Sequence, residues 1–276
     1  MRPLDGAAVT TGRERIMPSE GAGEPGLVKS AQRALEIMEL LGAHREPMSV
    51  VELHRRTGYP RSSLHQLVRT LTAMGWVEPT PDGLCVGVGA NALLCGTAYL
   101  DRDPALPFAG QTLEAVRDKV GYTAHYARLD GARVIYLATR EVLRPARATS
   151  RIGRQLPAHA TALGKILLAE LTADELGAVL PGDLAALTEA TLTAPDALRR
   201  DLERARDRGY ATEREENTAG ICCVSAAVPY RIPATDAISC SMPAAAATDR
   251  EIERVAGVLL DQAAGLSARL RREGIR

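Results

Sequence analysis

Arg61, Ser62, Ser63, His65, Gln66 and Arg69 carry the plainest chemistry in this chain: all are hydrogen-bond donors, and no acid stands among them. Between them, Leu64, Leu67, Val68 and Leu71 recur at the i, i+3, i+4, i+7 spacing of a single buried helical stripe. The donors therefore share the opposite face. A helix of this composition suits the major groove of DNA, where guanidinium, amide and hydroxyl groups read base edges and its first residues lie nearest them. Taken alone, the pattern equally describes an ordinary helical hairpin with a solvated face.

A second group of polar residues lies in the C-terminal half: His159, Glu213, Cys222, Cys223, Ser239 and Ser241. Ser239 and Ser241 are two apart on a predicted strand and so point to one face. Inward hydroxyls need partners, which a polar ligand, neighbouring backbone or buried water can supply. A thiol catalyst built from Cys222 or Cys223 with His159 would need nucleophile, base and orienting group within hydrogen-bond reach. Nothing in the spacing brings them together, and a strand cysteine ordinarily acts as a small hydrophobe. His159, Glu213 and Cys223 are suitable metal ligands by type, yet the 5 histidines include no H-x-x-x-H pair. The residues point to no catalytic group, no cofactor and no metal. His125 reads as a half-buried strand residue, and Arg269, Arg271 and Arg272 as a solvated helix end favoured by the dipole.

The elements that must position these groups can be read in turn. Leu27-Val28-Lys29 lead into Ser30, a predicted N-cap, and Ala31, Ala34, Ile37, Met38 and Leu41 make an amphipathic helix closed by Gly42. Ser49 and Glu52 form a predicted capping box, and Thr57-Gly58 ends that helix. Pro60 suits the start of the donor-bearing helix, which Gly75 stops. Trp76-Val77-Glu78 and Leu84-Cys85-Val86 flank Asp82-Gly83, a hairpin signal because glycine accepts φ > 0. Helix, turn, helix and hairpin make a winged helix-turn-helix. An apolar helix follows from Ala90 to Leu100, suited to packing on a second copy of itself through Ala92, Leu93 and Leu94. Asp101–Pro107 reads as a hinge.

Beyond it, the predicted order is a helix over Phe108–Val120, strands over Tyr122–Leu129 and Arg133–Thr139, and a possible strand over Ala146–Ser150. A helix opens at Ala158 and runs to about Leu171. Further helices begin near Thr172 and Thr193, strands cover Tyr210–Glu213, Ile221–Val228 and Ala237–Met242, and a last helix spans Asp249 to about Arg271. This order with hairpins indicates an α+β domain with a mostly antiparallel sheet.

The 276 residues accommodate about two domains. With 34 basic and 34 acidic side chains the net charge is zero, so any nucleic-acid contact must rest on a local basic face. The 5 cysteines form no C-x-x-C pair, and their odd number fits free thiols in a reducing cytoplasm. No apolar run approaches the roughly 20 residues of a membrane span. Residues 1–26, rich in glycine, proline and charge, read as a disordered tail.

GRQLPAHATALGK (Gly153–Lys165) and RGYATEREENTAGICCVSAAV (Arg208–Val228), together with the winged helix and their mutual spacing, resemble the IclR family of bacterial transcriptional regulators over about residues 27–270. The resemblance implies a winged helix-turn-helix at 27–89, a linker and dimerisation helix with hinge at 90–107, and an effector-binding domain similar to GAF and PAS folds at 108–276. It implies dimers, often pairs of dimers, on double-stranded operator DNA. It also implies a small-molecule effector, an organic acid whose carboxylate meets the backbone of Ala162 and Leu163, with Glu213, Cys223, Ser239 and Ser241 facing it. Free N–H groups at a helix start favour an anion for the same physical reason. The other function these residues admit is a ligand sensor whose winged helix contacts proteins; Arg61, Ser62, Gln66 and Arg69 on one face favour DNA. The chain departs from the family pattern in places. Val86-Gly87-Val88-Gly89 lacks a basic wing contact, Leu163 replaces a small residue, Glu213 stands for aspartate, and Arg214 for a second acid. A narrowed pocket with its own ligand preference is expected.

Overall fold

The computed structural model describes residues 27–44, 46–142 and 152–276. The chain divides into two compact units, with the division between Asp101 and Arg102. The predicted tail at 1–26 and the possible strand at 146–150 lie outside the described residues.

In the first unit the order is α1 (Lys29–Ala43), β1 (Met48–Ser49), α2 (Val50–Thr57), α3 (Arg61–Ala73), β2 (Val77–Pro79), β3 (Cys85–Val88) and α4 (Ala90–Asp101). Ile37 and Leu41 from α1, Leu53 from α2, and Leu64, Val68 and Leu71 from α3 meet Val77 and Val86 of the wing in one core. Burying each such side chain contributes about 1.5–3 kcal/mol, which is why three short helices hold together. The small sheet has the order β1-β3-β2, all antiparallel; β1 was not anticipated. Gly58 ends α2 at φ 69°, a left-handed turn that favours glycine.

Two expected caps differ. Ser49 does accept from the Glu52 N–H, but the Glu52 carboxylate is drawn to Arg55 and Arg56 instead of returning to Ser49. Ser30 lies inside α1, which begins one residue earlier with Val28 at the cap position and no side-chain cap, and which runs one residue past Gly42.

The second unit contains α5 (Leu106–Val120), β4 (Thr123–Asp130), β5 (Arg133–Arg140), β6 (Gln155–Pro157), a 3-10 turn (Ala158–Ala160), α6 (Ala162–Leu168), α7 (Ala173–Val179) and α8 (Pro195–Arg208). β7 (Ala211–Arg214), β8 (Ile221–Ala227), β9 (Asp236–Pro243) and α9 (Asp249–Arg272) complete it. Its six-stranded sheet has the order β6-β5-β4-β9-β8-β7, every pair antiparallel. Helices α5 and α9 pack together and against the strands, and α6 packs over β7, β8 and β9. The register sets Glu213 opposite Cys223, Cys223 opposite Ser241, and Ser239 opposite both Ser225 and His125. Directly opposed residues share a face, so one concave face collects these side chains. A bulge beside Tyr126 and Ala127 brings Tyr136 onto it as well.

The helix expected from Ala158 to Leu171 is broken. Thr161 is extended, at φ −126° and ψ 144°, and its hydroxyl accepts from Gly164 N at 3.0 Å, which makes it the cap of a separate, shorter α6. Gly164 is what permits the close fit: a Cβ there would collide with the backbone of Ala158. Within the stretch read as a hinge, residues 102–105 form a turn. Asp103 is buried, accepts from Ala105 N at 3.0 Å and pairs with Arg128 at 2.8 Å.

Candidate functional site

Arg61, Ser62, His65, Gln66 and Arg69 project from α3 into solvent. Ser62, His65, Gln66 and Arg69 border one shallow concavity with the edge of Val68. The buried stripe beneath them, Leu64, Val68 and Leu71, fixes the helix rotation and hence the direction of the donors. Ser63 departs from the group. It is half-buried and accepts from Arg33 of α1 at 3.5 Å, while the same guanidinium covers the Tyr59 ring at 4.7 Å. This bond links α1 to α3.

The wing is built as expected at its tip, where Asp82 accepts from Leu84 N at 3.0 Å and from the Thr80 hydroxyl. Beside the tip stands the apolar Leu84, 72% exposed.

On the concave face of the large sheet lies an enclosed cavity lined by Ala162 and Leu163 from α6, Glu213 from β7, Cys223 from β8 and Ser239 from β9. The free space admits the centre of a water molecule over about 10 Å³, room for one water. Five of the six effector residues expected from the sequence thus converge. Ser241 stands one step away: its hydroxyl lies 3.0 Å from His125 Nε2 and 3.5 Å from Cys223 Sγ. His125 is more buried than expected and also reaches Thr139 Oγ1 at 3.1 Å and the Tyr136 ring edge-on. Tyr136, Thr161, Asn217, Thr218 and Ile221 complete the lining and were not singled out in the sequence.

Glu213 is almost fully enclosed. Burial raises its pKa, and hydrogen bonds from Cys223 and from the backbone of Glu216 and Asn217 oppose the rise without cancelling it. The carboxylate therefore staples the turn after β7 to the sheet. Behind the cavity, Lys165 is buried with Asp201 at 2.8 Å and Glu216 at 2.6 Å. Burial works to raise the Asp201 pKa, yet Lys165 prevails and holds it low; at Glu216 burial prevails and the value goes up. A second buried charge, Asp236, accepts from Arg128 at 2.6 Å, from Tyr126 at 2.6 Å and from Tyr230. These clusters clamp α6 and the strand ends.

His159 is buried on the 3-10 turn with Nε2 at 3.0 Å from Ala185 O, and burial lowers its pKa. Cys222 and Cys240 are buried, their thiols pushed up to about 11 and about 12 by burial. Neither is suited to a thiolate role. Among the described residues no three His, Cys, Asp or Glu side chains are grouped to hold a metal, and no helix is long and apolar enough to cross a membrane.

Residues 30–81 match the IclR helix-turn-helix domain, and residues 97–268 match the family described as bacterial transcriptional regulator IclR C-terminal. The chain belongs to the IclR family. XynR, an HTH-type transcriptional regulator of Escherichia coli K12, is 34% identical over 203 residues, covering 73% of this chain and 81% of XynR. The transcriptional repressor IclR of the same organism is 29% identical, covering 86% and 88% of the two chains. The crystal structure of an IclR transcriptional regulator from Alicyclobacillus acidocaldarius superposes with a TM-score of 0.76 at 25% identity, covering 88% of this chain and 98% of that one. As an IclR-family member the chain is a DNA-binding transcriptional regulator with a C-terminal effector-binding domain.

Proposed function

We propose that this regulator senses a small organic acid in the cavity of the large sheet and reads its operator with α3. The carrying observation is the convergence of Ala162, Leu163, Glu213, Cys223 and Ser239 on one enclosed space. The acid's carboxylate meets the N–H groups of Ala162 and Leu163, where the helix start favours negative charge. Its other polar end meets Ser239, with Ser241, Cys223 and Glu213 behind. A hydroxylated or keto-hydroxy acid fits such a lining better than a plain dicarboxylate. The space is small, so the cavity must widen on binding, and that widening is what a ligand can couple to the DNA-binding unit.

On the DNA, Arg61, Ser62, His65 and Gln66 read base edges and Arg69 holds phosphate. The protein acts in the cytoplasm as a homodimer, or a pair of dimers, through α4, where Leu93 and Leu94 are 69% and 66% exposed. Two-fold symmetry then implies a roughly palindromic operator. A gel-shift assay with the DNA flanking its own gene, repeated with a panel of short hydroxy acids, tests the whole reading. A specific band that at least one acid displaces or strengthens is expected; no specific band, or a band blind to every acid, refutes it. Leu93→Glu combined with Leu94→Glu should yield monomers in sedimentation. A double variant that sediments as wild type removes α4 from the interface.

A further inference from the structure

The turn between β7 and β8 is held from two sides. Glu213 Oε2 accepts from Glu216 N at 3.0 Å and from Asn217 N at 3.5 Å. From outside, Thr188 and Thr191 donate to the carbonyls of Glu215 and Glu216, each at 2.6 Å. Glu215 itself takes φ 61°, the left-handed conformation that tightens the turn. The backbone of Asn217 is therefore fixed, and with it the direction of its Cα–Cβ bond.

That side chain lines the cavity. Its Oδ1 accepts from the Thr218 hydroxyl at 3.1 Å, and Nδ2 is the other end of the amide. Asn217 Nδ2 is enclosed and has no hydrogen-bond partner among the described residues. A buried N–H without an acceptor carries a desolvation cost that only an acceptor removes. No described residue supplies one, and Glu213 Oε2 is committed to the backbone of the turn.

We propose that Asn217 is a specificity-determining residue of this pocket, its Nδ2 donating to a second oxygen of the effector close to the carboxylate. The inference rests on the reading of the cavity as the effector site. It narrows the ligand class to short acids bearing a keto or hydroxyl oxygen beside the acid group. A plain fatty acid of equal length leaves the Asn217 donor unpaired. Because a site built around a polar group rejects ligands lacking that group far more strongly than it rejects a missing methylene, the second oxygen outweighs chain length in selection.

Calorimetry on the full chain with 2-oxobutyrate, 2-hydroxybutyrate and butyrate tests this. Wild type should bind the two oxygenated acids at least about tenfold more tightly than butyrate, the loss expected for one unpaired buried donor. Asn217→Ala should bind all three within about twofold of one another, at the wild-type butyrate affinity. Should that variant fold poorly, Asn217→Asp keeps the shape and the Thr218 bond while replacing the donor by an acceptor, and it too should lose the preference. In the 1H–15N spectrum the side-chain amide pair absent from Asn217→Ala should move on adding 2-oxobutyrate and stay in place with butyrate. A preserved tenfold preference in both variants, or no preference in wild type, overturns the role of Asn217. Ser239→Ala separates the two levels: if it weakens acid binding while Asn217→Ala changes nothing, the pocket stands and Asn217 falls. If no acid binds wild type, the pocket reading fails first.

Discussion

The two units keep their working polar groups in opposite conditions. On α3, Arg61, Ser62, His65, Gln66 and Arg69 stand in solvent, positioned only by the apolar stripe beneath them. Around the cavity, Glu213, His125, Lys165 and Glu216 are buried, and hydrogen bonds or ion pairs hold each of them in place. A solvated face can exchange residues at little cost to the fold, so it is free to be tuned to one DNA sequence. A buried polar set is coupled to the stability of its own unit, so a ligand entering it acts on the fold as well as on the site.

The strongest way to break this contrast is Lys165→Met. Removing the cation leaves Glu216 buried without its cation partner and Asp201 with Arg204 alone, which costs about 3–5 kcal/mol. Trp76 is the single tryptophan and lies in the first unit. Urea unfolding followed by Trp76 fluorescence should therefore keep its midpoint, while the far-ultraviolet signal of the second unit shifts to lower denaturant. Coincident shifts in both signals would mean that the units do not unfold separately, and the contrast would collapse.

The next effect belongs to α3. Gln66→Ala should relax discrimination by about 1–3 kcal/mol at one base pair of the operator, with no change in thermal stability because the side chain is exposed. Arg69→Ala should weaken every sequence alike and reduce the slope of log affinity against log salt by about 1. Binding measured at several salt concentrations on operator and scrambled DNA distinguishes the two. If Arg69→Ala changes sequence preference and Gln66→Ala only the salt slope, the roles are reversed.

The same contrast explains what could be read without coordinates. The donor face of α3 follows from a local 3.6-residue period, and so do the buried stripe and the Gly58 turn. The strands β4, β5, β8 and β9 and the shared face of Ser239 and Ser241 also followed from period-two patterning; the strand order of the six-stranded sheet did not. The Arg33–Ser63 bond was not foreseen because the two residues are 30 apart, and no periodicity announces such a bond. The break at Thr161 escaped because alanines on both sides favour helix; the extended backbone is imposed by packing against Ala158, for which Gly164 is the one sequence trace. Asn217 sits in a run, Glu215-Glu216-Asn217-Thr218, whose composition suggests a solvated loop. Only the bonds from Glu213, Thr188 and Thr191 turn that loop inward.

The smallest expected effect concerns the charge of Glu213 and decides what the pocket tolerates. An ionised carboxylate beside an acid effector repels it, yet burial holds the Glu213 pKa above its ordinary value. Its protonated form is thus favoured in the fold more than in the unfolded chain. The stability it contributes is fully present below the ordinary carboxylate range and is lost as pH rises through the folded value. Acid binding should follow the same sign, strongest at low pH and weaker by about fivefold, near 1 kcal/mol, once Glu213 ionises. Glu213→Gln should flatten both profiles, because a neutral amide keeps one acceptor for the turn and never acquires charge. An amine-bearing ligand would show the reverse: tighter binding as pH rises through the Glu213 value, and loss of that gain in Glu213→Gln. Calorimetry of a hydroxy acid and its amine analogue at pH 5 and pH 8 on both proteins tells these apart. An acid profile that stays flat in wild type would place Glu213 too far from the ligand to sense its charge, leaving it a staple of the β7–β8 turn alone.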